Sequence, residues 1–296
     1  AFLTAFRIKA SYKKFWNGCE RAYNIVGELF DGTADLFAFS RMAKADPLVV
    51  DNFQQTLIRL VSLLNSVIFA ELESGVQRQL EGEVPTAYNF ELLDVSGLTE
   101  GTLEDLLMSE NKPEVVFQWI NQLIVEAWHK KIFSIDPPIL TRAFSDLAAG
   151  MQEFHEAQKI TEVPFPFPYM MALQLCICVH WGLTPIVSTD WTDYAAVSFA
   201  WCFLLPFSLW FFVGLAMELD CPFQHTINSV DMRYLQRLLN MRLLSLGQNF
   251  KHPNPKLSSE ARLDVSRANF DTDVGDIRES FAQHLRRRSA AAAAAA

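Results

Sequence analysis

From residue 163 to residue 189, and again from 194 to 217, the chain has no Asp, Glu, Lys or Arg, and most of what stands there is apolar. Buried helices of soluble proteins rarely sustain more than about 10–14 such residues, so a soluble helical hairpin is disfavoured. At about 1.5 Å of rise per residue, roughly 20 residues cross a hydrocarbon core of about 30 Å, and each run is long enough. Basic excess is missing too. A net charge of -9 and a pI near 5.2 give no basic face for nucleic acid. The five cysteines form no C-x-x-C pair and read as buried free thiols. No N-x-S/T acceptor, H-E-x-x-H string or Gly-rich phosphate loop occurs. Glu153, His155 and Glu156 share one helix, but a di-iron bundle needs Glu-x-x-His twice, on separate helices, and the sequence does not hold the string twice, so an enzyme is not expected.

What is present points to an all-α integral membrane protein with a water-facing helical bundle. The membrane hairpin spans about 164–217. The charges between its runs are acidic, Asp190 and Asp193, whereas Arg142 and Lys159 precede it and Arg233 and Arg237 follow. That asymmetry puts the tip outside and both feet in the cytoplasm or its equivalent. Plasma, organellar and thylakoid membranes all fit. A composition of 20% charged residues beside 50% hydrophobic ones is too charged for membrane helices alone. No Gly/Ser linker separates two modules, so one continuous unit is expected over 1–250, followed by a polar tail over 251–296. The terminal alanines, 290–296, read as filler and carry no structural signal.

Along the chain, an apolar start turns basic at Arg7, Lys9, Lys13 and Lys14, as a membrane helix does where it leaves the bilayer on its positive side. It continues to Phe30 on a stripe of Cys19, Ala22, Tyr23 and Val26. A helix of the water-facing body follows over 51–69, capped by Asp51 or Asn52, its run from 57 to 69 too short and too polar to span. Thr99 caps a short helix. Pro113 opens another through Val116, Trp119, Ile120, Leu123, Ile124 and Ala127. Asp136, Pro137 and Pro138 break it, and a helix runs from about 139 to 159. The prolines 164, 166 and 168 make a stiff entry to the hairpin. A Leu- and Arg-rich helix covers 230–246 and a weak one 277–285.

Three segments in this order resemble the bestrophin family of anion channels. Phe6, Arg7, Tyr12, Lys14, Phe15, Trp16 and Gly18 are similar to its F-R-x-x-x-A-Y-x-R-[FW]-W-x-G signature. Residues 160–169, with Thr161, Pro164, Phe165 and Tyr169, are similar to its T-P-I-P-F-x-Y entry to the third membrane helix. Glu218, Pro222 and Phe223 resemble E-x-x-x-P-F after the fourth. Residues 57–65 and 136–140 also look like the eukaryotic branch, with an algal member in view.

The resemblance implies a homopentamer in a lipid bilayer with an axial pore, conducting chloride, bicarbonate or related monovalent anions. It implies that Phe2 and Phe6 line a hydrophobic neck, and that a third neck position and a first membrane helix lie ahead of residue 1. A second, cytosolic constriction would fall at Ile139, with Leu140 behind it. Arg7, Lys9, Lys13 and Lys14 would concentrate anions below the neck. The alternative is the channel module of a larger protein, with a fused or associated regulatory domain such as a light-gating rhodopsin, or a non-conducting membrane scaffold. Calcium gating in eukaryotic members uses an acidic cluster after Pro-Phe. Here 224–231 offers one carboxylate, Asp231, so no metal ligands are assigned. Cys19 stands where the family often has arginine.

Overall fold

The computed structural model describes residues 2–77, 90–94, 97, 101, 106, 108–224, 228–249 and 286. Its elements are all helical: α1 Phe2–Ser40, α2 Pro47–Gln77, α3 Lys112–His129, α4 Pro137–Glu162, α5 Phe167–Trp191, α6 Ala195–Leu219 and α7 Met232–Asn249. By contacts the chain divides into Ala1–His252 and Pro253–Ala296. Arg286 is the one described residue of the second unit. The helix expected at 277–285 and the cap at Thr99 lie outside the described residues.

Helix α1 does not stop at Phe30 but runs on to Ser40. Its buried stripe, Ala22, Ile25, Val26, Leu29, Leu36 and Phe37, enters one core with Leu57, Val61, Leu64 and Ile68 of α2, Ile120 and Ile124 of α3, Leu147 and Phe154 of α4, and Leu239 and Leu243 of α7. The Arg21–Glu153 and Arg142–Asp35 ion pairs rise in number on α1 while falling on α4, so the two helices are antiparallel. They meet at glycines. A Cβ added to Gly32 would stand 2.8 Å from Leu147 Cγ and 3.2 Å from its backbone nitrogen. One added to Gly150 would stand 3.1 Å from Leu29 Cδ2. Each glycine lowers helix propensity and allows a closer packing distance than any side chain permits.

Two helix starts differ from expectation. Helix α2 begins at Pro47, and Asp46 Oδ1 accepts the Leu48 N–H at 3.0 Å, so the cap is Asp46 and not Asp51 or Asn52. Helix α4 starts at Pro137, before the expected 139. Prolines tolerate a first turn, where their missing N–H would have no intrahelical partner, so they open this helix instead of delaying it.

Helices α2, α5 and α6 are each long and apolar enough to cross a membrane. Burial separates them. Of the most apolar window of α2, 78% is buried inside the chain, against 17% for α5 and for α6. Helices α5 and α6 pack on each other through Leu173, Ile177 and Val213, with Leu3 of α1 against them. They turn Trp181, Trp201, Phe203, Phe207 and Trp210 outward. Such a surface is costly in water and ordinary in lipid. The hairpin expected at about 164–217 is therefore α5 and α6, whereas α2 belongs to the core.

Because Leu147 backbone leaves no room beside Gly32, Gly32→Val should destabilise the protein by about 1–3 kcal/mol through overpacking. Gly27, in the same helix, has nothing within 4 Å of an added Cβ, so Gly27→Ala should be neutral or stabilising. Thermal unfolding of the detergent-solubilised variants measures both; equal melting temperatures for Gly32→Val and the wild type would refute the close crossing.

Candidate functional site

Helix α1 carries two faces at its membrane-proximal end. Outward, at spacings of three and four, stand Phe2 (83% exposed), Phe6 (51%), Lys9, Tyr12, Lys13 and Trp16. Inward lie Thr4, Arg7, Ser11 and Gly18, all buried. Successive helical residues are about 100° apart, so Phe6 and Arg7 diverge although adjacent.

Of the four basic residues, Arg7 departs from expectation. It is 2% exposed and forms a two-pronged ion pair with Asp220: one terminal nitrogen donates to Oδ1 at 3.4 Å and the other to Oδ2. Its guanidinium carbon sits 4.0 Å from the centre of the Phe165 ring. A paired, buried guanidinium presents no free charge to an aqueous path, so Arg7 is a packing residue of this junction. Removing one partner of such a pair typically costs about 3–5 kcal/mol, because the other is left buried and uncompensated. Lys14 is half-buried and donates to the Val163 carbonyl at 3.3 Å. Lys9 and Lys13 are exposed.

The same junction fixes the aromatic face. Tyr169 donates its hydroxyl hydrogen to the Leu3 carbonyl at 2.9 Å, and its ring centroid lies 5.5 Å from that of Phe6 and 5.2 Å from that of Phe165. Further down, a Cβ on Gly18 would stand 2.6 Å from Pro222 Cγ, so only glycine lets α1 lie against the Pro222 ring. The three segments singled out in the sequence thus converge: 6–18 on α1, 163–169 entering α5, and 218–223 leaving α6. Sequence reasoning finds the segments but not the pairing. Asp220 as the partner of Arg7, and Phe165 and Tyr169 as its aromatic supports, are legible there only as members of strings.

At the other end, Ile139 is 51% exposed at the start of α4, but Leu140 is 7% exposed and belongs to the core with Ala143, Leu147 and Phe154. Adjacent helical residues diverge by about 100°, so Ile139 stands on the exposed face with Leu140 behind it in the core. Between the ends, α1 and α4 hold a band of carboxylates: Glu28, Asp31, Asp35, Asp146 and Glu153. Glu153 accepts two hydrogen bonds from Arg21, at 2.8 and 2.7 Å, which occupies it otherwise than as a metal ligand. Arg142 reaches Asp35 at 3.4 Å. Burial pushes the Glu28 carboxyl up from its ordinary range, and Asp146, Asp31 and Glu153 add to it. Asp35 is also pushed up by burial, with Arg142 opposing and Asp146 and Asp31 reinforcing.

The residues after Pro222 do not fit a calcium clasp. Asp231, the single carboxylate of 224–231, accepts the Tyr234 N–H at 2.9 Å and caps α7. No group of three or more His, Cys, Asp or Glu suited to a metal occurs among the described residues.

Residues 1–244 match a family model described as bacterial/fungal bestrophin protein. The fold is similar to that of a bacterial bestrophin homologue from Klebsiella pneumoniae, seen in crystal structures of two substitution variants. One has a TM-score of 0.64 at 16% identity, the other 0.62 at 17%, each covering 83% of this chain and 83% of that one. A crystal structure described as a membrane protein variant gives a TM-score of 0.65 at 16% identity, with the same coverage. No curated protein matches. The matching model is the bacterial and fungal one, whereas the sequence resemblance points to a eukaryotic, algal-like branch.

The raised carboxyls have a defined consequence. A folded-state value above the unfolded one means that the folded chain binds more protons in that window, so its stability falls as pH rises through it. Glu28→Gln removes one contributor. The variant should be more stable than the wild type at neutral pH, and the gap should narrow as pH falls through the raised folded value and close below the ordinary glutamate value of about 4. Melting temperatures across that range measure it; a gap independent of pH would show that neither burial nor its acidic neighbours raise the Glu28 carboxyl.

Proposed function

This chain belongs to the bestrophin family, and from that premise we propose that it assembles as a homopentamer around an axial pore passing chloride, bicarbonate and related monovalent anions. Membership makes it an integral membrane protein and an anion channel, not an enzyme. The observation that carries the finer reading is the outward face of α1, where Phe2 and Phe6 are exposed with Lys9 and Lys13 one and two turns below. In this reading Phe2 and Phe6 form the neck. Five copies of such an apolar ring close a pore by dewetting, and aromatic edges carry the partial positive charge that suits a partly dehydrated anion. Lys9 and Lys13 supply the attracting potential. Lys14 contributes less, being committed to Val163, and Arg7 not at all. Ile139, exposed at the first turn of α4, is the candidate for the cytosolic constriction.

The reading needs no resident calcium, since the single carboxylate of 224–231, Asp231, is engaged in capping α7. It leaves room for regulation by a fused or associated domain. In this reading residues 1–250 form one channel unit and 251–296 a polar tail.

The first test is the reversal potential of the complete protein in a planar bilayer under a chloride gradient. A shift toward the chloride equilibrium potential is expected; a shift toward the cation potential, or no current from assembled protein, would overturn it. Replacing Phe2 and Phe6 together with Ala should raise basal current by widening the neck. Unchanged currents from a well-assembled double variant would remove both residues from the pore.

A further inference from the structure

We propose that Asp220 is a positioning residue for the neck: by holding Arg7 inward it keeps the aromatic face of α1 turned outward. The proposal rests on the reading that Phe2 and Phe6 line the pore. Its grounds are the way the first turns of α1 are held. Leu3 meets Leu173, Ile177 and Val213 of the hairpin. The remaining ties described above come from two short segments at the foot of the hairpin, 163–169 and 220–222: Arg7 to Asp220, Arg7 over Phe165, Tyr169 to the Leu3 carbonyl and the Phe6 ring, Lys14 to the Val163 carbonyl, and Gly18 against Pro222. Asp220 itself closes the last turn of α6, its N–H donating to the Met217 carbonyl at 3.3 Å. Its carboxylate is therefore fixed to the hairpin, and the guanidinium it holds is fixed to α1.

Arg7 directly follows Phe6. With its partner in place, the guanidinium is buried and Phe6 points away from it. Without the carboxylate, a buried and unpaired cation is too costly to keep where it is. Rolling α1 by part of a turn would bring Arg7 out and draw Phe6 toward the helix bundle. Two arrangements of the same helix are then in balance, and the Asp220 charge sets which one dominates. Any signal that shifts the foot of the hairpin relative to α1 would act on the neck through this pair.

The test uses the complete protein in bilayers, with assembly checked by native mass. Asp220→Asn should raise the open probability at least about fivefold, the lower end of ordinary coupling between two sites, and should increase chloride permeability relative to sodium as Arg7 turns outward. Asp220→Glu should behave like the wild type. The decisive variant is the double, Arg7→Gln with Asp220→Asn. It contains no unpaired charge, so positioning predicts a return toward wild-type open probability and selectivity, whereas a merely structural loss predicts a defect at least as large as in the single variant. Wild-type currents from assembled Asp220→Asn, or a double variant as altered as the single, would overturn the proposal. If neither assembles, Asp220 is a folding residue and the positioning role is overturned as well. The two readings fail separately: silent Phe2 and Phe6 variants sink the neck, while altered Phe variants beside a silent Asp220→Asn sink only the positioning.

Discussion

The structure depends on one rod that must be satisfied in two surroundings. Helix α1 is continuous over 39 residues, about 58 Å at 1.5 Å per residue. Its upper turns lie beside a hairpin whose outer surface is Trp, Phe and Leu. Its lower turns lie in a core shared with α2, α3, α4 and α7. No proline interrupts it between the two. The neighbours instead come close at chosen heights, where glycine removes the side chain: Gly18 against Pro222, Gly32 against Leu147, and Gly150 of α4 against Leu29. Close-packed interfaces of this kind do not deform gradually. A displacement at one end is carried along the rod to the other.

The pairing of buried polar groups decides which apolar helix stays in the body. By length and hydropathy α2 qualifies as a membrane span, yet Ser62, Asn65 and Ser66 are fully buried in it. Lipid would leave such groups with few partners. Here Ser62 donates to Asn240 Oδ1 at 2.7 Å and Asn65 to Gln236 Oε1 at 2.6 Å, both on α7. Asn240 and Gln236 in turn donate to the Glu91 carbonyl, at 2.6 and 3.3 Å. The network requires α7 to cover this part of α2, and so assigns it to the core. Helices α5 and α6 make the contrasting case. Their buried polar side chains, such as Ser188 and Ser198 at 3.0 Å, find each other across the hairpin and leave the outer faces apolar.

That contrast also marks how far sequence can be read. The hairpin is legible because so long a run without charge is hard to place anywhere but in lipid. So is the place of α2 in the water-facing body, from the polar residues within its apolar run, but its length, Pro47–Gln77 against the expected 51–69, is not. The early starts of α2 and α4 escape a reading that treats proline as a boundary, because in both places it opens the helix. The candidate site is half legible. Phe2, Phe6, Lys9 and Lys13 share a face by spacing alone, and spacing is what the sequence displays. Charge groups Arg7 with the lysines, although its helical phase sets it with Thr4 and Ser11. Adjacency pairs Leu140 with Ile139, although adjacency in a helix separates two side chains by about 100°. Asp220 cannot be recognised as a partner without the fold, because 213 residues separate it from Arg7.

The distribution of charge along α1, rather than the total of -9, is what bears on ion preference. The aromatic turns carry no free charge on their outward face, and the exposed cations Lys9 and Lys13 follow directly below. The carboxylates of α1 begin with exposed Glu20, two turns below Lys13, and continue in the lower band, where Arg21 and Arg142 answer some of them and burial holds Glu28 and Asp35 toward their neutral forms. A charge acts on a passing ion within about a Debye length, roughly 8 Å at physiological salt. Glu20, the first carboxylate of α1, is fourteen residues beyond Phe6, a rise of about 21 Å along the helix. On the proposed pathway an ion at the neck would therefore be governed by the lysines, and the acidic band would act on it only after the apolar ring had been passed. Selectivity at the neck and charge lower in the body are thus separable properties of one helix, and Arg7, tied inward by Asp220, is the cation whose position connects them.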